Sequence, residues 1–251
     1  MNLNFRKINI DLLGVRLFKL INLIFYPSLW RFQKHGIMPA FEHVKAIKKT
    51  KNINSLVDCG SNKGQFAIIL FFFKKYQNYL CFDPIIEPLT FKNFFQKRGY
   101  WYKYFDIGLS NISSKKIFYI TKRKDSSSLK KTIDNSSKYF PDVYYEKSLS
   151  INVQELSEFK DLLDTMPKPR ALKIDVQGAE LDLIKGSKKI LKKFNYIFIE
   201  ISFFNIYLES GNYKDIFEIL HQEGFKEIFS YNELKSRKKL ISKDYLFERQ
   251  I

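Results

Sequence analysis

Short apolar runs alternate with longer amphipathic runs along the chain after residue 50. In the first half they follow the order strand, helix, strand, helix, strand, with the sequences NSLVD, QFAIILFFFKKY, NYLCFD, LTFKNFFQKRG and WYKYFDIGLS. This order predicts a largely parallel sheet with helices on both of its faces.

The same alternation continues in the second half. It predicts strands at ALKID (171–175) and YIFIE (196–200), and helices at AELDLIKGSKKILKKF (179–194) and YKDIFEILHQEG, the second of which ends at Gly224. FKEIFS predicts a further strand, and KDYLFER is compatible with one more. We therefore expect a single α/β domain over residues 51–251, preceded by a helical extension over residues 1–50.

Residues 111–150 interrupt this pattern. A strand is expected at KKIFYI, followed by the polar stretch TKRKDSSSLKKTIDNSSKYFPD. In a doubly wound domain such a stretch is usually a surface loop, and loops beyond the carboxyl ends of strands concentrate substrate contacts. The hydroxyl side chains of this loop are candidates to line the site, with a solvent-exposed loop as the alternative: Ser126, Ser127 and Ser128.

The extension contains a predicted amphipathic helix. Its apolar residues lie at helical spacing, at Leu13, Leu17, Leu20 and Ile24. Two charged residues, Arg16 and Lys19, interrupt the apolar stretch, and Pro27 ends it before a full membrane span is reached. These residues exclude a transmembrane helix. Two interpretations stay open, namely packing on the main domain or on a partner subunit, and peripheral contact with an anionic membrane.

Composition adds a strong positive charge. The formal net charge is +17, which attracts polyanions such as nucleic acid, anionic lipid or acidic polysaccharide without choosing among them. The two cysteines, Cys59 and Cys81, lie in apolar strand-like runs and are expected to be free thiols in a reducing cytosol. The amino terminus also lacks the features of a secretory signal, so we expect a cytoplasmic location, with contact at the inner membrane as an option.

The turn after the first predicted strand carries the first chemical signal. It reads D-x-G-x-x-x-G, from Asp58 through Gly60 to Gly64, between a strand and a helix. A dinucleotide fingerprint has G-x-G-x-x-G and places a pyrophosphate there, which a carboxylate would repel. S-adenosyl-L-methionine (SAM) instead carries a sulfonium and an ammonium, so an acidic residue suits it. The alternative for Asp58 is a turn at the edge of the core.

A second acid ends the next predicted strand. Asp83 follows Gly64 by nineteen positions, where a carboxylate can accept the ribose hydroxyls, although it can also serve as a helix N-cap. Asp106, or the backbone around Ile107, is placed to meet the adenine amino group. The predicted cofactor-binding residues are Asp58, Gly60, Ser61, Asn62, Gly64, Gln65, Asp83, Asp106 and Ile107.

Five segments together resemble the FkbM-type SAM-dependent methyltransferase family. They are VDCGSNKGQF, FDPIIEP, IGLSN, LKIDVQGAELDLIKG and IFIE, and the resemblance covers roughly residues 53–230. It implies a class I, Rossmann-like methyltransferase fold with a seven-stranded, mostly parallel sheet and a reversed final hairpin. It also implies SAM as the cofactor and O-methylation of a sugar or other hydroxyl. Two positions depart from the family pattern, because Gln177 and Asp83 stand where the family has Glu.

The candidate catalytic residues are Asp175, Glu180 and Glu200. Asp175 ends a strand beside the expected methyl group and acts either as the general base or as an orienting group, with Lys173 on the same strand face. Two roles are open for Glu180: it contacts the substrate, or it only stabilises the start of the helix through the helix dipole. Glu200 is expected to border the binding site of the methyl acceptor. No metal-type spacing is visible; the three histidines are expected to be structural or exposed, unless the extension brings His35 or His43 over the crevice.

These observations predict a SAM-dependent O-methyltransferase acting on a hydroxyl of a surface polysaccharide, glycolipid or related saccharide. A nucleic-acid methyltransferase of the same fold is one alternative, but the N-P-P-Y-type loop common in base N-methylation is absent after Asp175, so nucleic acid is disfavoured. A non-catalytic, membrane-associated SAM-binding module is the other. A homo-oligomer is compatible with the sequence.

Overall fold

Ten strands form two sheets in the computed structural model, which describes residues 23–133, 136, 142–204, 206–236 and 239–250. The strands are β1 (Ser55–Cys59), β2 (Asn78–Phe82), β3 (Trp101–Phe105), β4 (Gly108–Leu109), β5 (Ser114–Thr121), β6 (Tyr145–Gln154), β7 (Arg170–Ile174), β8 (Tyr196–Ser202), β9 (Phe225–Ser236) and β10 (Lys239–Arg249). The main sheet has the order β3-β2-β1-β7-β8-β10-β9, and only β10 runs against its neighbours. The predicted seven-stranded sheet with a reversed final hairpin is confirmed.

Strand register brings the ends of the central strands together. Cys59, the last residue of β1, lies opposite Phe82 of β2 and Ile174 of β7. The residues that follow these strands, including Asp83 and Asp175, therefore emerge at the same edge of the sheet. In open α/β sheets this carboxyl edge is where ligands bind.

Helices cover both faces of the main sheet. They are α1 (Trp30–Gln33), α2 (Val44–Lys49), α3 (Gln65–Lys74), α4 (Leu89–Gln96), α5 (Lys160–Thr165), α6 (Glu180–Ser187) and α7 (Tyr213–Gln222). One apolar cluster joins α3, α4 and the extension to one face, and a second joins α5, α6 and α7 to the other. The described helices include none that is long and apolar enough to cross a membrane.

The described part of the extension packs on α3. That helix is apolar almost all round, a composition that is stable only when every face is covered. Leu29, Phe32, Phe41 and Ile47 of the extension are buried in the same apolar cluster and supply the cover. The predicted amphipathic helix lies mostly in residues 1–22, outside the described residues.

Two segments differ from their predicted structure. Residues 111–150 contain the expected strand β5, but β6 was not predicted, and β4, β6 and β5 form a second sheet over a small apolar cluster of Phe118, Ile120, Ile151 and Val153. The first six residues of β6 are exposed, which explains why its sequence reads as a polar loop. The helix predicted over 179–194 ends at Ser187, because the chain then turns to bury Ile190, Leu191 and Phe194.

Candidate active site

A cavity of about 720 Å³ lies at the carboxyl edge of the main sheet. Its volume is typical of a small-molecule site. Its walls come from the turns after β1, β2 and β7, from the tips of β8, β9 and β10, from the extension, and from part of residues 111–150, which we call the insertion. The insertion reaches the end of β7, where the Ser128 Oγ lies 3.4 Å from the Val176 carbonyl oxygen.

The glycine turn after β1 is docked on the ends of both neighbouring strands. The Gly60 and Ser61 N–H groups donate to the Phe82 carbonyl at 2.9 and 3.1 Å. Gly60 has φ +80°, and a Cβ there would lie 1.9 Å from the Asp175 carbonyl oxygen. Only glycine fits this position, since a side chain would meet backbone directly and would also be strained.

An unpartnered polar atom marks the cavity wall beside this turn. Ser61 is buried, and its Oγ has no hydrogen-bond partner among the described residues. Buried polar groups in proteins are almost always satisfied, and this Oγ, which is fully buried beside the Cys81 thiol, is an exception. Asn62, Gly60 and Gln65 also line the cavity, whereas Gly64 begins α3 behind it.

Asp83 organises two loops while lining the cavity. Its Oδ2 accepts from the Asn62 N–H at 2.9 Å, and its Oδ1 accepts from the Ile85 and Ile86 N–H groups at 2.9 and 2.8 Å. Burial raises the pKa of Asp83, although these three bonds oppose the rise. A carboxylate has about four acceptor sites, so roughly one remains for a ligand hydroxyl.

Acids line one face of the sheet around a single buried lysine. Asp58 lies beside Lys173 in the register of β1 and β7, and Glu200 lies beside Asp244 in the register of β8 and β10. Lys173 is buried, and its Nζ lies 3.3 Å from the Asp175 Oδ2. Burial lowers the pKa of Lys173, but the negative charges around it raise the pKa by more, so it lies above its ordinary value. The acids responsible are Asp175, Asp244, Glu200 and Asp58.

The buried acids of this row hold protons unusually tightly. Burial raises the pKa of Asp58 to about 7, although Lys173 and the Tyr79 hydroxyl, which donates to its Oδ2 at 3.0 Å, lower it. Burial also raises the pKa of Asp244, with Glu200 adding to the rise. The pKa of Glu200 is raised by burial and then by Asp175. The buried acids of this row thus outnumber the one lysine among them, while Lys63, Arg123 and Lys124 lie elsewhere on the cavity wall.

Gln177 joins the two acids at the centre of the site. Its Nε2 donates to the Asp175 Oδ1 at 2.7 Å and to the Glu200 Oε2 at 3.2 Å. Its Oε1 lies 3.0 Å from the Tyr207 hydroxyl. Because the opposite amide orientation would point an oxygen at two carboxylates, the network fixes which way the amide faces. Asp175 and Glu200, both predicted, are therefore held at one point of the wall.

Glu180 is placed differently from the other predicted catalytic residues. It begins α6 and is buried, and its carboxylate accepts from the Gly178 N–H at 3.0 Å and from the Val176 N–H at 3.3 Å. Burial raises the pKa of Glu180 to about 7. It does not line the cavity. The geometry favours the helix-start role, in which Glu180 shapes the loop that carries Asp175 and Gln177.

The remaining predicted residues divide between wall and periphery. Ile107 lines the cavity, whereas Asp106 is exposed and is not part of the wall. Ser126 and Ser127 line it, and Ser128 is buried behind them. His43 also lines the cavity, because the extension reaches over the crevice, and its Nδ1 lies 2.7 Å from the Tyr231 hydroxyl.

Several wall residues were not predicted. Asp244, Asn232 and Ser242 come from the final hairpin: Asn232 Nδ2 donates to the Asp244 Oδ2 at 2.7 Å, and Ser242 Oγ donates to the Glu200 Oε1 at 2.7 Å. Tyr207 comes from the loop after β8. Asp244 is one of five charged residues in β10, so the sequence alone does not single it out.

A family model described as "Methyltransferase FkbM domain" matches residues 58–227. The chain belongs to the FkbM methyltransferase family. The match runs from the end of β1 to the start of β9 and contains the glycine turn, Asp83, Asp175, Gln177 and Glu200. The predicted family is confirmed, and so is the predicted cofactor, SAM, which FkbM methyltransferases use.

Solved structures with a similar fold are distant in sequence. A methyltransferase FkbM from Methylobacillus flagellatus KT is 12% identical with a TM-score of 0.42, over 77% of this chain and 43% of that one. The B. subtilis M1A22 tRNA methyltransferase TrmK is 11% identical with a TM-score of 0.43, over 83% of this chain and 65% of that one. Streptococcus pneumoniae Sp1610, a putative tRNA (m1A22) methyltransferase in complex with S-adenosyl-L-methionine, is 12% identical with a TM-score of 0.43, over 84% of this chain and 73% of that one.

This FkbM chain spans less than two thirds of the length of the first two of those structures. The search of curated proteins found no match.

Gln177 stands where the FkbM pattern has Glu, and changing it to Glu is expected to make stability depend on pH. Gln177→Glu would place a third carboxylate beside Asp175 and Glu200, raising the folded-state pKa of Glu200 further above its ordinary value. Acids with raised pKa values bind more protons folded than unfolded, so stability falls as pH rises. We expect a loss of about 2–3 kcal/mol near pH 8 that shrinks toward pH 5, measured by urea unfolding.

Gln177→Met is the matched control, because it keeps the length of the side chain and removes the amide. It is expected to lose about 1–2 kcal/mol at both pH values. Equal losses for Gln177→Glu at high and low pH would show that the three side chains do not interact as described.

Proposed function

We propose that this FkbM-family chain is a SAM-dependent O-methyltransferase that methylates a hydroxyl of a saccharide, such as a surface polysaccharide or glycolipid. The supporting observation is the cavity wall, where Asp58, Asp175, Glu200 and Asp244 surround one lysine, Lys173. Such a site favours a cationic ligand and disfavours a phosphate-bearing coenzyme.

The residues present fit SAM. Gly60 lets the backbone approach closely, and Asp83 keeps about one acceptor site for a ribose hydroxyl. Ile107 and Phe82 offer apolar surface on the same wall, suited to an adenine ring. We therefore assign the β1 and β2 end of the cavity to the cofactor.

The acceptor end of the cavity is rich in hydrogen-bonding groups. Ser126 and Ser127 lie on the insertion, and Ser202, Asn232 and Ser242 lie on the strand tips. When bound, SAM supplies an electrophilic methyl group for an in-line displacement by the acceptor oxygen. The chain's contribution is to orient the acceptor hydroxyl and remove its proton, which is worth roughly 10²- to 10⁴-fold.

Asp175 is the proposed general base. Its side chain is 35% exposed toward the cavity, whereas Lys173 beneath it is 3% exposed. Lys173 and Gln177 hold its two oxygens in place, so the carboxylate faces the acceptor in a fixed orientation. The alternative role for Asp175, orienting the acceptor without taking its proton, predicts a much smaller loss on substitution.

The experiment that tests this function has two stages. Calorimetric titration with SAM and S-adenosylhomocysteine should show binding, and Asp83→Asn should weaken it about tenfold or more, because a hydrogen bond to a charged acceptor is worth roughly 1.5–3 kcal/mol. Mass spectrometry of candidate glycans incubated with SAM should then show the gain of one methylene unit. Asp175→Asn should retain SAM binding and lose transfer by about 10²-fold or more. Lack of SAM binding by the wild type would reject the proposal, and methylation of RNA but of no glycan would assign the acceptor differently.

SAM affinity is expected to rise with pH, because the bound cation favours the ionised form of acids whose pKa values are raised. Asp58, with a pKa of about 7, is largely protonated below that value, and it would release its proton as the cation binds. Affinity should therefore increase between about pH 5.5 and pH 7, below the range in which α-amino groups titrate. Titrations in buffers of different ionisation enthalpy measure the protons released.

S-adenosylhomocysteine is the control ligand, since its sulfur is uncharged. Its affinity should change less over the same range. A SAM affinity that falls as pH rises would contradict an acid-lined cofactor site.

A further inference from the structure

One surface of the chain combines exposed apolar side chains with an excess of positive charge. Three segments contribute to it: residues 23–41 of the extension, residues 65–82 around α3 and residues 88–105 around α4. These segments contain no Asp or Glu and eight Lys or Arg residues. Lys103 lies on the opposite face of the sheet, against Phe105, which leaves Arg31, Lys34, Lys74, Lys75, Lys92, Lys97 and Arg98. Lys92 pairs with Glu87, just outside the third segment.

Large apolar side chains project from the extension beside these charges. Ile24 is 67% exposed, Phe25 is 73% exposed and Trp30 is 48% exposed. Single exposed apolar residues are ordinary on a protein surface, but three within seven positions form a patch that indicates an interaction site.

Contacts join the patch to α3 and α4 as one continuous surface. The Tyr26 ring lies 5.3 Å from that of Phe72, and Lys75 Nζ lies 5.1 Å from the same Phe72 ring. The Phe94 ring contacts both Arg31, at 5.3 Å, and Arg98, at 3.7 Å. We call the surface formed by Ile24, Phe25, Tyr26, Trp30, Arg31, Phe72, Lys75, Phe94 and Arg98 the extension face.

We propose that the extension face docks on an anionic phospholipid bilayer. Basic residues are attracted to anionic headgroups, and each Lys or Arg near the membrane surface increases the binding affinity about fivefold. Apolar side chains next to them gain by entering the acyl boundary, and tryptophan prefers that interface. A nucleic acid would bind the basic residues through its phosphates and stack its bases on aromatic rings, but neither contact involves an exposed aliphatic side chain such as that of Ile24. This inference does not depend on the cofactor or on the acceptor.

The experiment is co-sedimentation of the full chain with vesicles of phosphatidylcholine alone and of phosphatidylcholine mixed with phosphatidylglycerol. The chain should sediment with the anionic vesicles and be released by salt, and little should sediment with phosphatidylcholine alone. The double variant Arg31→Gln, Lys75→Gln should lose about 25-fold in affinity, at about fivefold for each charge. The double variant Lys188→Gln, Lys189→Gln removes the same charge from another exposed segment and should bind almost as well as the wild type.

The apolar part of the surface has its own readout. Ile24→Ser with Phe25→Ser keeps every charge and should also weaken binding, because insertion is lost. The chain has two tryptophans, so in Trp101→Phe the fluorescence of Trp30 alone is observed, and it should shift to the blue with anionic vesicles. Binding that is unchanged by both extension-face double variants would overturn the proposal. Capture by an RNA duplex without any binding to vesicles would also overturn it.

Discussion

Replacing Lys173 with methionine is expected to destabilise the protein by about 3–5 kcal/mol near pH 8, because among the described residues this lysine is the one cation within a buried group of acids. Lys173 is buried between Asp58 on β1 and Asp175 at the end of its own strand, with Glu200 and Asp244 further along the same face. Methionine matches the volume of the lysine stem, so packing is largely kept. The loss therefore reports the charge.

The size of this effect should depend on pH in a fixed direction. Without Lys173, the folded-state pKa values of Asp58, Glu200 and Asp244 rise further above their unfolded values. The folded protein then binds more protons than the unfolded protein, so its stability falls as pH rises and recovers as pH is lowered. Guanidinium unfolding of Lys173→Met near pH 5.5 and near pH 8 measures the difference, and the larger loss is expected at the higher pH.

Two control variants make the result specific. Lys188→Met removes an exposed lysine and should change stability little at either pH. Adding Asp244→Asn to Lys173→Met removes one of the unpaired acids and should restore part of the lost stability near pH 8. If the double variant is no more stable than Lys173→Met, the acids do not share this lysine.

The central fold could be predicted because the physics that produces it is local. Apolar runs such as NSLVD and YIFIE are strands buried on both faces, which is the signature of a parallel sheet. Parallel strands linked by helices must bring their carboxyl ends to one edge, so Asp58, Asp83 and Asp175 could be placed together from their positions in sequence alone. The structure puts all three on the wall of one cavity.

The other half of the site was not predictable in the same way. Asp244 lies on an antiparallel strand, and only the register that sets it opposite Glu200 brings it to the cavity. A one-residue slip of that register would turn its side chain to the other face. For Ser126, a predicted candidate with a solvent-exposed loop as the alternative, the deciding contact comes from a distant loop, where the Tyr207 hydroxyl donates to the Ser126 carbonyl oxygen at 2.9 Å. Such pairings depend on long-range contacts that no local pattern reveals.

Glu180 shows the opposite case, in which a sequence signal had two meanings. An acid in the first turn of a helix after a catalytic strand is compatible with substrate contact and with helix stabilisation. The choice depends on where the carboxylate turns, and here it turns back to the N–H groups of Val176 and Gly178. Spacing alone does not determine that direction.

Gly60→Ala is expected to lower the free energy of unfolding by about 3 kcal/mol, because the added Cβ would both strain the backbone and clash with a neighbouring carbonyl oxygen. The backbone at Gly60 is left-handed, with φ +80°, and the added Cβ would lie 1.9 Å from the carbonyl oxygen of Asp175. Backbone on both sides prevents an easy shift, since the Gly60 N–H is bonded to Phe82 and the Asp175 N–H is bonded to Cys59. The melting temperature should fall by about 10 °C for a protein of this size.

Gly99→Ala separates the two costs. Gly99 also has a left-handed backbone, with φ +74°, but a Cβ there would have no atom within 4 Å. It should therefore show only the conformational loss of about 1 kcal/mol. Because the turn after β1 must move away from β7 to accept a methyl group, Gly60→Ala should also lose the thermal stabilisation by SAM that Gly99→Ala keeps. Equal melting temperatures and equal responses to SAM in the two variants would mean that the close approach of Gly60 to Asp175 does not shape the site.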